Sequence, residues 1–166
     1  LKTKLQPVLD EQNLSEQIRY YLYSQILVRS GGLIYDRDDK LIFNPFVGVT
    51  PGSKVIVYSS GSFGQHVLTT NKRNRFFNIV RWIDIDYHEL HVDEIYVSPI
   101  SAFENDAFDH LIIATINPSN YRAIKRELSL MGVDEKRIVR INTDEEEVSG
   151  LLAELGFDKD FKFRGN

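Results

Sequence analysis

The chain has 166 residues, 42% apolar and 27% charged, a composition that suits a globular protein with one sizeable core. Its 20 Lys and Arg against 24 Asp and Glu leave a net charge of -4, which argues against a nucleic-acid or anionic-membrane binder. The absence of cysteine excludes disulfides, Cys-ligated zinc and thiol catalysis, no apolar run reaches the ~18–20 residues of a membrane helix, and no signal-peptide pattern opens the chain, so a cytoplasmic protein is expected.

Three segments are expected: an N-terminal helix and arm or hairpin over 1–50, an α/β domain over 51–156, and a tail over 157–166. In the first, Ser15 to Val28 reads as a helix. Ile18, Tyr21, Leu22 and Ile26 form one stripe, and Tyr20, Tyr23 and Leu27 widen it. Whichever stripe faces the domain, Tyr20, Tyr23 and Leu27 are expected to remain exposed and to seek a second copy or an upstream domain. Gly31 is expected to cap the helix, and "LIYDRDDKLIF" reads as a hairpin turning at Asp36 to Lys40. A start at Leu1 rather than Met fits a fragment whose missing part carries the chemistry.

From residue 51, apolar runs alternate with amphipathic segments. Strands are expected at 54–58, 78–84, 94–99, 110–116 and 136–142. The first helix runs from Gly61 to Lys72. The second is capped by Asn117 with Pro118 at its first position, and lined by Tyr121, Ile124, Leu128 and Met131. The third opens with a Thr143–Glu146 capping box and buries Val148, Leu151, Leu152 and Leu155. The tail is expected to fray or to touch a partner. Right-handed crossovers then make a Rossmann-like parallel sheet, most simply in order 3-2-1-4-5, flanked by helices with an N-terminal helical arm.

The turn after the first strand bears the chemistry. Ser59, Ser60, Gly61, Ser62, Phe63 and Gly64 align as S-x-G-x-x-G between a strand and a helix. Unpaired N–H groups and the positive dipole end of a helix favour a pyrophosphate there, and glycines allow the turn, the close ligand approach and the helix packing. Asp84, twenty residues past Gly64, stands where an acid accepts hydrogen bonds from an adenosine ribose. Thr115, at the end of the fourth strand, completes the candidate set. The structural alternative is a plain strand-to-helix turn, with Gly64 serving packing and Asp84 ending a strand.

Other constellations read as structural. His88 and His91 among Asp84, Asp86 and Asp93 lie in an acidic loop rather than on a metal-binding helix face. Ser62 and His66 lack an acid to orient the imidazole, and "GSFG" is no nucleophile elbow. His110 is expected to be a satisfied edge histidine, and "NKRNR" is a helix end.

The run "NPFVGVTPGSKVIVYSSGSFGQ…VRWIDIDY" resembles the Rossmann-like modules appended to bacterial glycosyltransferases, phosphotransferases and methyltransferases of surface-polysaccharide synthesis. Their pattern of Pro-Phe, "P-x-G-S-x-V", "YGAGxxGQ" and "GWVD" is met by Pro45, Phe46, Pro51, Gly52, Ser53, Tyr58, Gly61, Gly64, Gln65, Trp82 and Asp84. "FDHLIIATINPSNYRAIKRELSLMGVDEKRI" matches their second half, so the likeness covers about residues 43–142. It departs at Ser59-Ser60, where those modules carry Gly-Ala. The resemblance implies a module that binds a nucleotide, a sugar nucleotide or NAD(P), with transfer chemistry in another domain and a possible homodimer or upstream catalytic domain as partner. A structural or dimerisation module with a decayed site is the alternative. A small NAD-dependent oxidoreductase or epimerase is a third reading, without a Tyr-x-x-x-Lys pair or a second domain to support it.

Overall fold

A computed structural model describes residues 11–59, 61–86, 90–103 and 106–164, with side chains from residue 14 onward. Helix α1 spans Glu11–Ser30 and ends at Gly31, whose φ of +60° suits glycine and whose N–H donates to the Leu27 carbonyl at 2.9 Å. The glycine is also needed for packing, because a Cβ there would stand 2.2 Å from the backbone of His66. Strands β1 (Ile34–Tyr35) and β2 (Leu41–Phe43) form an antiparallel ribbon. Its turn is held by Asp36, whose Oδ1 accepts the N–H groups of Asp38 and Lys40 at 2.8 and 2.9 Å.

The main sheet follows. Its elements are β3 (Lys54–Tyr58), α2 (Ser62–Asn74), β4 (Asn78–Ile83), β5 (His91–Val92), β6 (Ile95–Ser98) and a 3-10 turn at Ile100–Phe103. Then come β7 (His110–Ile113), α3 (Pro118–Leu130), a 3-10 turn at Glu135–Arg137, β8 (Ile138–Val139) and α4 (Glu145–Glu154). The six strands run in the order β5-β6-β4-β3-β7-β8, and only the β5–β6 pairing is antiparallel. This mixed α/β sheet flanked by helices is consistent with a Rossmann-like fold. Among the described residues, no helix is long and apolar enough to cross a membrane.

Alternation along the central strands divides the core in two. Val55, Val57, Trp82 and Ile112 face α1, α2 and α4, where Tyr23, Leu27, Val67, Val148, Leu151 and Leu152 meet them. Ile56, Tyr58, Ile83, Leu111 and Ile113 face the opposite side and are covered by Leu128 of α3 and Phe103 of the 3-10 turn. Burial on both faces is why β3 and β7 read as unbroken apolar runs.

Several expectations are corrected. Tyr23 and Leu27 are buried, whereas Tyr21 is 62% exposed, so the stripe of α1 that packs inward differs from the one read from spacing. The reason is tertiary: α1 lies across α2 and α4, and the Tyr23 hydroxyl donates to the Asn142 carbonyl beside α4. Two of the three residues expected to await a partner therefore belong to the chain's own core. The cap of α4 is Asp144 rather than Thr143, its carboxylate accepting the Glu147 N–H at 2.9 Å. Strand β8 is only two residues long; Asp134 caps the 3-10 turn before it, accepting the Lys136 N–H at 3.0 Å, which moves its start to Ile138. Met131 is exposed at the end of α3, and the buried Nδ1 of His110 lacks a partner among the described residues. The described tail folds back rather than fraying. Phe157 and Phe163 form an antiparallel bridge, closed by Arg164 Nε to Asp158 Oδ2 at 2.7 Å.

Burial of α1 through Leu27 makes this helix integral to stability. Leu27→Ala should cost about 2–5 kcal/mol in denaturant unfolding, whereas Tyr21→Ala should stay within about 0.5 kcal/mol.

Candidate functional site

The parallel register pairs Tyr58 with both Ile83 and Ile113, which brings the next residues, Ser59, Asp84 and Ala114, side by side at the carboxyl edge of the sheet. Thr115 follows one residue later. Connections from β3 run to β4 and β6 on one side, and those from β7 run to β8 on the other. The order thus reverses between β3 and β7, the point where open α/β sheets leave a crevice for ligands.

Ser59 is held from three sides. Its N–H donates to the Ile83 carbonyl at 3.0 Å, its carbonyl accepts the Trp82 indole N–H at 2.7 Å, and its Oγ accepts the Gly61 N–H at 3.2 Å. Its φ is +122°, a conformation that favours glycine. The fixed carbonyl is also the surface on which α2 rests: a Cβ on Gly64 would stand 1.9 Å from it. Gly64 is therefore a packing glycine. Phe63 is buried against the strands, so it contributes only backbone to the loop.

Gly61 differs. With φ -68° and ψ -179° its backbone is open to any residue, and among the described residues a Cβ would meet only Ser59 Oγ, at 3.4 Å. Neither conformation nor packing demands glycine here, and its absent side chain leaves space over the start of α2. No side chain caps that helix among the described residues. By contrast, α3 is capped by Asn117, whose Oδ1 accepts the N–H groups of Ser119 and Asn120 at 2.9 and 3.2 Å. Among the described residues, α2 has no capping side chain on its first-turn amides, whereas α3 does. Ser62 is exposed at its first position, and Ser60 lies outside the described residues, as does His88.

Asp84 is half-buried. Its N–H donates to the Ser98 carbonyl at 3.1 Å and its Oδ1 accepts the Asp86 N–H at 2.9 Å, which fixes the carboxylate at the strand end. Thr115 accepts the Asn117 N–H at 3.3 Å through Oγ1. Tyr58, not singled out from the sequence as a site residue, reaches the same end from the opposite core. Burial pushes its hydroxyl up to about 12, the carboxylates of Asp84, Glu127 and Asp86 add to the shift, and a hydrogen bond with the Ile85 backbone opposes it. Trp82, met in the sequence only as part of the "GWVD"-like run, joins the site through a carbonyl that spacing cannot locate.

Surface cavities of about 360 to 630 Å³ lie away from the crevice. Among the described residues, no group of three or more His, Cys, Asp or Glu is placed to hold a metal ion.

No protein-family model matches the chain, and no curated protein matches it. Among solved structures, the UDP-D-quinovosamine 4-dehydrogenase of Vibrio fischeri is similar at a TM-score of 0.46 with 17% identity, over 60% of this chain and 86% of that one.

Two outcomes follow from the loop. At φ +122° an alanine keeps the strain that glycine relieves, so Ser59→Gly should be more stable than Ser59→Ala by about 1–3 kcal/mol in urea unfolding. Tyr58 keeps its proton to about pH 12, whereas an unfolded tyrosine releases it near 10.0. Its contribution is whole below pH 10 and falls as pH climbs toward 12, by up to about 2 kcal/mol. Tyr58→Phe should flatten that part of the stability–pH curve.

Proposed function

We propose that the chain binds a nucleotide or sugar nucleotide, NAD(P) among the candidates, at the carboxyl edge between β3 and β7. On this reading it is the binding module of an enzyme of bacterial cell-surface polysaccharide synthesis, non-catalytic by itself. The observation that carries the ligand reading is the start of α2. It stands at the switch point, has no capping side chain among the described residues, and is kept open by a glycine that neither backbone nor packing requires. The amides of 61–64 would take the pyrophosphate. Asp84 would accept a ribose hydroxyl, with the serines of 59, 60 and 62 and Thr115 as further polar contacts. The pathway rests on the sequence resemblance alone.

One observation favours a structural module with a decayed site. Ser59 Oγ accepts the Gly61 N–H, so one loop amide is already satisfied from within. The two readings part in a thermal-shift screen of the intact chain against NAD, NADP, and UDP-, CDP- and dTDP-sugars. A ligand at 100 times its Kd stabilises by about 2.7 kcal/mol, roughly 5–10 °C for a chain of this size. Gly61→Val should abolish that shift while leaving the unliganded midpoint in place, because among the described residues a Cβ at this position meets no backbone. A shift unchanged by Gly61→Val would overturn the site, and silence from every nucleotide would favour the structural module.

A further inference from the structure

Exposed apolar side chains cluster on a face remote from the crevice loop. Tyr35 and Phe163, 41% and 65% exposed, line a cavity of about 620 Å³, and Val47, 58% exposed, lines another of about 500 Å³. The two cavities share Ile42 and Glu154, so they form one groove along β2 and α4. Leu41, 47% exposed and paired with Tyr35 across the ribbon, extends the patch. The groove thus sets exposed apolar side chains beside carboxylates in one lining.

Two further features define the occupant. The groove is acidic. Asp36, Asp38, Glu147 and Glu154 line it, and Asp38 and Glu154 have no ion-pair partner among the described residues. On the cationic side Arg164 is engaged by Asp158, which leaves Arg37. The ribbon is also open. Among the described residues, β2 pairs only with β1, so its other edge has no strand beside it. An added strand would place alternate side chains on the apolar wall and toward the carboxylates.

We propose that this groove binds an extended segment of a partner protein, alternately apolar and basic, added to the open edge of β2. The proposal does not depend on nucleotide binding. It is tested on the full chain with a fluorescent peptide of alternating valine and lysine, a valine–glutamate counterpart and a lysine-only counterpart, by fluorescence anisotropy. The valine–lysine peptide should bind at least about tenfold more tightly than either counterpart, and added salt should weaken it. Glu154→Lys with Val47→Lys, both at side chains already in solvent, should weaken it at least about tenfold at an unchanged thermal midpoint. Should that pair disturb folding, Val47→Lys alone provides the same test. Equal binding of the three peptides, no binding of the first, or equal binding by the variants would overturn the proposal. So would light scattering that finds a wild-type dimer dissociated by the same substitutions, which would make a second copy the occupant.

Discussion

Helix α2 lies against the end of strand β3 with no side chain between them. The distance from the position of a Gly64 Cβ to the Ser59 carbonyl, 1.9 Å, means the two backbones meet only because residue 64 is glycine. The rest of the molecule is arranged around that contact. The Ser59 carbonyl takes the Trp82 indole N–H, which ties β4 to the turn, and the Ser59 N–H is spent on the Ile83 carbonyl. On the far side of α2, Gly31 and Gly32 let the end of α1 approach His66 and Thr70, and the Thr70 hydroxyl donates to the Ser30 carbonyl. The position of one helix start thus sets both the open edge at the switch point and the seat of the N-terminal helix.

That seat explains why residues before 50 are part of the same core. Phe43, Phe46 and Val49 pack with Val55 and Val57, and ring contacts run from Tyr23 to Phe43 and from Phe46 to Phe77 at 5.8 and 5.4 Å. The polar ties along this seam are secondary. Arg19 and Glu145 approach to 2.6 Å, but an exposed pair of this kind contributes about 0–1 kcal/mol. The buried aromatic and aliphatic area does most of the holding.

Ser59 illustrates how a loop tolerates a residue at odds with its backbone. Three hydrogen bonds over-determine its place, which is the condition under which a positive φ at a non-glycine residue persists. Its hydroxyl accepts from Gly61 and retains a proton to donate. The serine therefore gives the loop a donor that a glycine at this place would lack.

Apolar runs alone were enough to find most elements from Lys54 onward, because a strand buried on both faces is apolar along nearly its whole length, as "KVIVY" and "HLII" are after their first residues. Local capping chemistry was equally legible where one side chain suffices: Asn117 with Pro118, Gly31, and the Asp36 turn. Asp144 in place of Thr143 was decided by one residue of register, within the usual blur of helix ends. Of the candidate site, the glycines and Asp84 were visible as a spacing. The difference between Gly64, fixed by backbone contact, and Gly61, whose Cβ would meet no backbone among the described residues, exists only in three dimensions. The same holds for α1. Its sequence is apolar around most of its circumference, so spacing could not choose a face. The choice fell to Tyr23 and Leu27 because α2 and α4 stand on that side, and burial is decided by what lies opposite a residue rather than by the residue itself.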